Sequence, residues 1–223
     1  MGVSFPAGTI VRTGAERAAL VRRTYALVFV SVLVTMAGAS FALSQPRLMQ
    51  SVAEHPILAM ISLFAPLMMA MSARNTFPAN IALVLVFAFV EGVVISPALY
   101  VYGRSQPGLI TQAAMITVGA FGLLTIYAWV SRRDFSAWGS FFTVGLWVLI
   151  GTMFLNIFMK NPGLDLWLAG ITVLVFSGLL IFDTWRIRNV YGPDDYVPAA
   201  VQIHLDLLNL FLGILRVLGG RRD

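Results

Sequence analysis

The 223-residue chain has a formal charge of +5 but only 11% charged residues against 59% hydrophobic ones. A soluble domain carries roughly a quarter charged residues, so water is not its main solvent and no stretch remains for a second, soluble domain. The arginines sit at the ends of apolar runs, which reads as lipid-headgroup contact and orientation and argues against a nucleic-acid partner. The absence of cysteine excludes disulfides, thiol nucleophiles and cysteine metal sites.

In chain order, residues 1–24 form an Arg-rich N-terminal segment containing Arg12, Arg17, Arg22 and Arg23. Seven apolar runs follow at residues 25–43, 56–72, 81–102, 109–130, 138–158, 166–182 and 199–218, and residues 219–223 form a tail. Each run is near the roughly 20 residues that a helix needs to cross hydrocarbon, so the expected fold is all-α with seven transmembrane helices over residues 25–218. The first run ends at Ala37-Gly38-Ala39, loosely like a signal peptide, but it is longer than an ordinary signal core and is expected to be retained. Short links such as Ser44-Gln45-Pro46 and Asn161-Pro162-Gly163 punctuate the runs. The inner side receives most of the arginines if the N-terminus is cytoplasmic, and seven spans then place the C-terminus outside, against the mild counter-signal of Arg216, Arg221 and Arg222.

Within the first run Ser31, Thr35, Gly38 and Ala42 share a helical face, as Gly145, Thr152 and Asn156 do in the fifth; such small and hydroxyl residues favour close helix packing over pore lining. Pro66 and Pro97 are expected to kink their helices. Ionisable groups inside hydrocarbon are costly, and three stand out: Glu91 in the third run, Asp183 closing the sixth and Asp206 in the seventh. Glu91 precedes a glycine and a proline, a setting that suits a cation ligand as well as a neutral, hydrogen-bonded carboxyl. Gln202, Asp206, Asn209, Gly213 and Arg216 recur at spacings of three and four and form one polar stripe. Glu91, Asn209 and Gln202 are therefore the expected ion pathway, with a structural stripe as the alternative. His204 points nearly opposite to Asp206 and is expected at the interface.

Enzyme signatures are lacking. His55 and His204 lie in different segments and cannot by themselves make a zinc site, and no phosphate loop or nucleophile elbow occurs, so neither catalysis nor a bound cofactor is expected.

Three segments together resemble the Bax inhibitor-1 family, the transmembrane Bax inhibitor motif proteins, in its bacterial branch. They are Glu91-Gly92-Val93-Val94-Ile95-Ser96-Pro97, Ile181-Phe182-Asp183-Thr184, and Ala200-Val201-Gln202-Ile203-His204-Leu205-Asp206-Leu207-Leu208-Asn209-Leu210-Phe211-Leu212 with Leu215-Arg216-Val217-Leu218-Gly219 beyond it. The resemblance implies six helices around a central C-terminal seventh. It also implies a pH-sensitive calcium leak in a bacterial inner membrane, sensed by paired aspartates that fall on Asp183 and Asp206. An Arg from the second helix would latch onto the first of the two, and Arg74 is the nearest match. Calcium, passing as transported ion, would meet the oxygens of Asp183 and Asp206; the other implied partners are protons and the lipid bilayer. The alternative that the family offers is a non-conducting interaction protein that restrains a membrane protein partner such as a protease. Two carboxylates close together in a low-dielectric interior cannot both ionise cheaply and tend to share one proton, while a nearby Arg favours ionisation, which makes a switch.

Overall fold

A computed structural model describes residues 14–159 and 161–220, apart from the side chains of residues 157 and 162. Arg12, Lys160, Arg221 and Arg222 thus lie outside the described residues. The described chain is all helical: α1 (Gly14–Leu43), α2 (Pro46–Glu54), α3 (Pro56–Ser72), α4 (Ala79–Ser105), α5 (Leu109–Val130), α6 (Trp138–Met159), α7 (Pro162–Asn189) and α8 (Tyr196–Gly219).

Six of these helices are long and apolar enough to cross a membrane, and the second expected run, residues 56–72, is one arm of a bent pair, α2 and α3, which meet at 100°. The bend has a local cause. Pro56 opens α3, a position where its missing N–H costs nothing, and its ring drives the preceding His55 out of the helical region to φ −122° and ψ 59°. The link expected at residues 44–55 is therefore mostly helix, and α1 begins eleven residues before the expected run.

Prolines inside the spans do not break them. Pro97 cannot donate to the carbonyl of Val93, and the hydroxyl of Ser96 donates to that same carbonyl at 2.8 Å, so α4 runs through unbroken. Pro66 likewise lies inside a continuous α3.

Helices α1 and α4 pack closely along their length. Gly92 lies against the backbone of Thr35 and Ala39, and Gly38 against the backbone of Phe89, so a β-carbon at either glycine would meet main chain. Ser31, Thr35, Gly38 and Ala42 are all buried, as the packing reading of that face requires. On the other side of the bundle α7 and α8 run antiparallel, with Gly213 against Thr172 and Val173. Helices α1, α4, α5 and α7 flank α8, whereas α3 packs chiefly on α4 and α6 on α7. The expected ring of six helices around the last one is thus a partial ring.

Outward-facing side chains confirm the solvent. Leu123, Trp147 and Leu174 are each at least 70% exposed, with many other large apolar residues beside them, a surface that hydrocarbon tolerates and water does not. At the C-terminal end of α5, the guanidinium of Arg188 donates to the carbonyls of Trp129 at 2.7 Å and Ser131 at 3.0 Å, tying α7 to the last orphan acceptors of its neighbour.

Candidate ion-handling site

Two polar centres are buried on opposite sides of α8. The first lies between α7 and α8. Asp183 and Asp206 are 6% and 4% exposed, and their carboxyls are close enough to share a hydrogen bond. Arg186, one helical turn beyond Asp183, donates from one Nη1 to the Asp183 carboxylate and to the Gln202 amide oxygen, both at 2.9 Å. Gln202 also accepts from the Tyr191 hydroxyl, and the guanidinium lies 4.7 Å from the centre of that phenol ring. Tyr191 sits in the α7–α8 link, where burial pushes its hydroxyl well above the usual range despite the neighbouring Arg186, so it stays a neutral donor across the physiological range. One oxygen of Asp206, Oδ2, finds no donor at all.

The second centre joins α1, α4 and α8. His204, 1% exposed, places Nε2 at 2.7 Å from Glu91 and Nδ1 at 3.0 Å from the Ser31 hydroxyl, with Thr35 at 3.4 Å from Nε2. Ser31 gives its own hydrogen to the Val28 carbonyl and Thr35 to that of Ser31. Both ring nitrogens are thereby engaged, Nδ1 by Ser31 and Nε2 by Glu91 and Thr35. The Phe87 ring meets the imidazole edge to face at 6.2 Å.

The expected site residues divide between these places. Asp183, Asp206 and Gln202 come together. Asn209 donates back to the Leu205 carbonyl of its own helix at 2.8 Å. Glu91 does not join the pathway stripe: α4 faces the other side of α8, and its carboxyl is taken by His204. His204 is accordingly a core residue and not an interfacial one, because the face opposite Asp206 is covered by α1 and α4. Arg74 makes no ion pair with Asp183. It lies just past α3, exposed, and lines a separate cavity with Arg23, Asp194 and Asp195. The cation on Asp183 is Arg186. Its spacing of three residues from Asp183 is the available signal, hidden because the apolar run stops at Phe182 and Arg186 falls beyond it.

Among the described residues no group of three or more His, Cys, Asp or Glu side chains is placed to hold a metal ion. Since calcium takes six to eight oxygens, the Asp183–Asp206 pair alone does not make a complete cage for it.

A lipid-facing helical bundle with ionisable groups held in its interhelical core defines a polytopic membrane protein. Comparison with known sequences narrows that class. The profile of the family described as "Inhibitor of apoptosis-promoting Bax1" matches residues 17–223, and the chain belongs to this Bax inhibitor-1 family. It is 30% identical to "Bax inhibitor 1" of Schizosaccharomyces pombe over 91% of this chain and 77% of that protein. It is 31% identical to "Protein lifeguard 4" of Mus musculus (91% and 85%) and 28% identical to an uncharacterized protein of Helicobacter pylori (92% and 87%).

Proposed function

We propose that the chain is a proton-controlled cation leak, with calcium as cargo, in a bacterial inner membrane, and that Asp183 and Asp206 are its sensor. The observation that carries this reading is the donor-free oxygen of a buried Asp206 beside a second carboxyl. A buried acceptor without a partner costs about 1–3 kcal/mol and is kept where it has a use. Two adjacent carboxyls in a dry interior hold one proton more cheaply than two negative charges. With that proton bound, the pair is a closed, hydrogen-bonded contact between α7 and α8. Without it, the pair presents up to four oxygens to a hard cation, and Arg186 competes with the cation for Asp183. The Gln202 amide oxygen, next to Asp206 on the stripe, is the following polar step toward the Tyr191 end.

The bent α2–α3 pair serves as the remaining crossing in this reading. Arg23 in the first third of α1, Asn80 near the start of α4 and Tyr196 at the start of α8 line one cavity, so these three helices run in the same direction through the bundle. The chain must return between α1 and α4, and α2–α3 is the segment available. The Arg-rich ends then put the N-terminus in the cytoplasm.

Calcium uptake by proteoliposomes holding only this protein, measured from acid to alkaline pH, tests the proposal. A flux that follows pH supports it. No flux at any pH rejects it in favour of a non-conducting interaction protein.

A further inference from the structure

The cavity at the end where α1, α4 and α8 begin has a volume of about 950 Å³, at the upper end of the roughly 300–1,000 Å³ of small-molecule sites. Its polar wall carries two arginines, Arg23 and Arg74, and two carboxylates, Asp194 and Asp195. Among the described residues none of the four is in an ion pair, although opposite charges line one space. The fixed partners are few: Asp195 accepts from the Gly192 amide at 2.7 Å, and Arg23 lies 5.8 Å from the centre of the Tyr196 ring. Asn80, 2% exposed, anchors the floor by donating to the Arg74 carbonyl at 2.9 Å and to the Tyr196 hydroxyl at 3.3 Å.

Below this rim the wall turns apolar. Ala26, Leu27 and Val30 continue α1, and Ile81 continues α4. From Arg23 to Val30 is about 10 Å at 1.5 Å per residue, so the cavity passes from charged to hydrocarbon-lined over the depth of a lipid headgroup and its first chain carbons.

We propose that this cavity binds a glycerophospholipid with a zwitterionic, primary-amine headgroup, phosphatidylethanolamine. Its phosphate meets Arg23 and Arg74, its ammonium meets Asp194 and Asp195, and an acyl chain lies along Ala26, Val30 and Ile81. The four charges sum to zero, which disfavours an anionic lipid, whose headgroup would leave the carboxylates facing negative charge. Carboxylates also select an ammonium with N–H donors over a quaternary amine that has none. The ligand ties together the beginnings of α1, α4 and α8 where protein contacts alone leave a gap.

Native mass spectrometry of the full chain in detergent, with equal amounts of dioleoyl phosphatidylethanolamine, phosphatidylcholine and phosphatidylglycerol, tests the proposal. Phosphatidylethanolamine is expected to be retained over the other two. The double variant Arg23→Gln, Arg74→Gln should lower its retention about tenfold, the worth of one charge-assisted hydrogen bond. Asp194→Asn alters an exposed side chain that makes no hydrogen bond, so it keeps the test decisive even if the double variant fails to fold. It should lower phosphatidylethanolamine retention relative to phosphatidylcholine roughly twofold to fivefold, the range of an exposed ion pair. Equal retention of the three lipids, preference for phosphatidylglycerol, displacement of lipid by millimolar inorganic phosphate, or a preference that survives Asp194→Asn would each overturn the assignment.

Discussion

The two polar centres on either side of α8 hold similar chemistry and differ in how completely it is satisfied. At the α1–α4–α8 centre Glu91, His204, Ser31 and Thr35 are joined by hydrogen bonds, no polar side-chain atom of theirs is left buried without a partner, and none of the four is exposed. At the α7–α8 centre Asp206 keeps an unpartnered oxygen, and Arg186 is 27% exposed at the side chain. A saturated buried network rigidifies and positions helices, whereas an unsaturated one beside water has capacity for a ligand. The same helix thus carries a fastening on one face and, on the other, the site that the proposed function makes responsive, two residues apart in sequence.

The largest effect that would test this contrast is on stability. Glu91→Ala leaves the imidazole buried without its partner and should destabilise the folded protein by about 3–5 kcal/mol, read as an earlier thermal transition in detergent. Glu91→Gln keeps a donor toward Nε2 and should be milder. Whatever flux remains in either variant should still depend on pH. A stable Glu91→Ala protein with altered ion selectivity would return Glu91 to the ion pathway.

Next in size is the seam that brings α1 and α4 close enough for that network. Gly92→Ala places a methyl against the Thr35 carbonyl and should cost roughly 1–3 kcal/mol through helix separation. Gly145→Ala, where a β-carbon would meet only Val175 at 3.9 Å, should be close to neutral. Equal melting temperatures for the two variants would contradict the close approach at the seam.

At the responsive centre, Arg186→Gln removes the cation from Asp183 and should displace the pH midpoint of flux by about one unit or more, while Arg74→Gln leaves it in place. The reverse result would restore Arg74 as the latch.

The smallest effect concerns Tyr191. Its hydroxyl ionises only above its ordinary range in the folded protein, so its hydrogen bond to Gln202 is fully present below about pH 10 and is lost only as pH rises further. Tyr191→Phe should cost about 1 kcal/mol and leave the pH profile between about pH 5 and about pH 9 unchanged. A displaced profile in that window would make Tyr191 part of the sensor.

Much of this was legible in advance, for identifiable reasons. Helix α5 matches its apolar run residue for residue, because Gly108 and Ser131 punctuate a run with no competing signal. The polar stripe of α8 was visible because its members share one helix and periodicity reports what lies on one helix. Its partner on the opposite face was not, since the His204–Glu91 pair joins residues 113 positions apart and depends on how α4 packs. Amphipathic α2 escaped because it has no long apolar run, and its bounds are set by Pro46 and Pro56 instead.

The most direct test of the central claim is calcium flux into proteoliposomes from acid to alkaline pH for the wild type, Asp183→Asn and Asp206→Asn, with circular dichroism confirming that each is folded. Asn keeps the volume and hydrogen-bonding capacity of Asp but cannot lose a proton, and a close pair titrates as one unit, so either substitution should flatten the pH dependence completely. Wild-type pH profiles in both folded variants would contradict the paired-aspartate sensor.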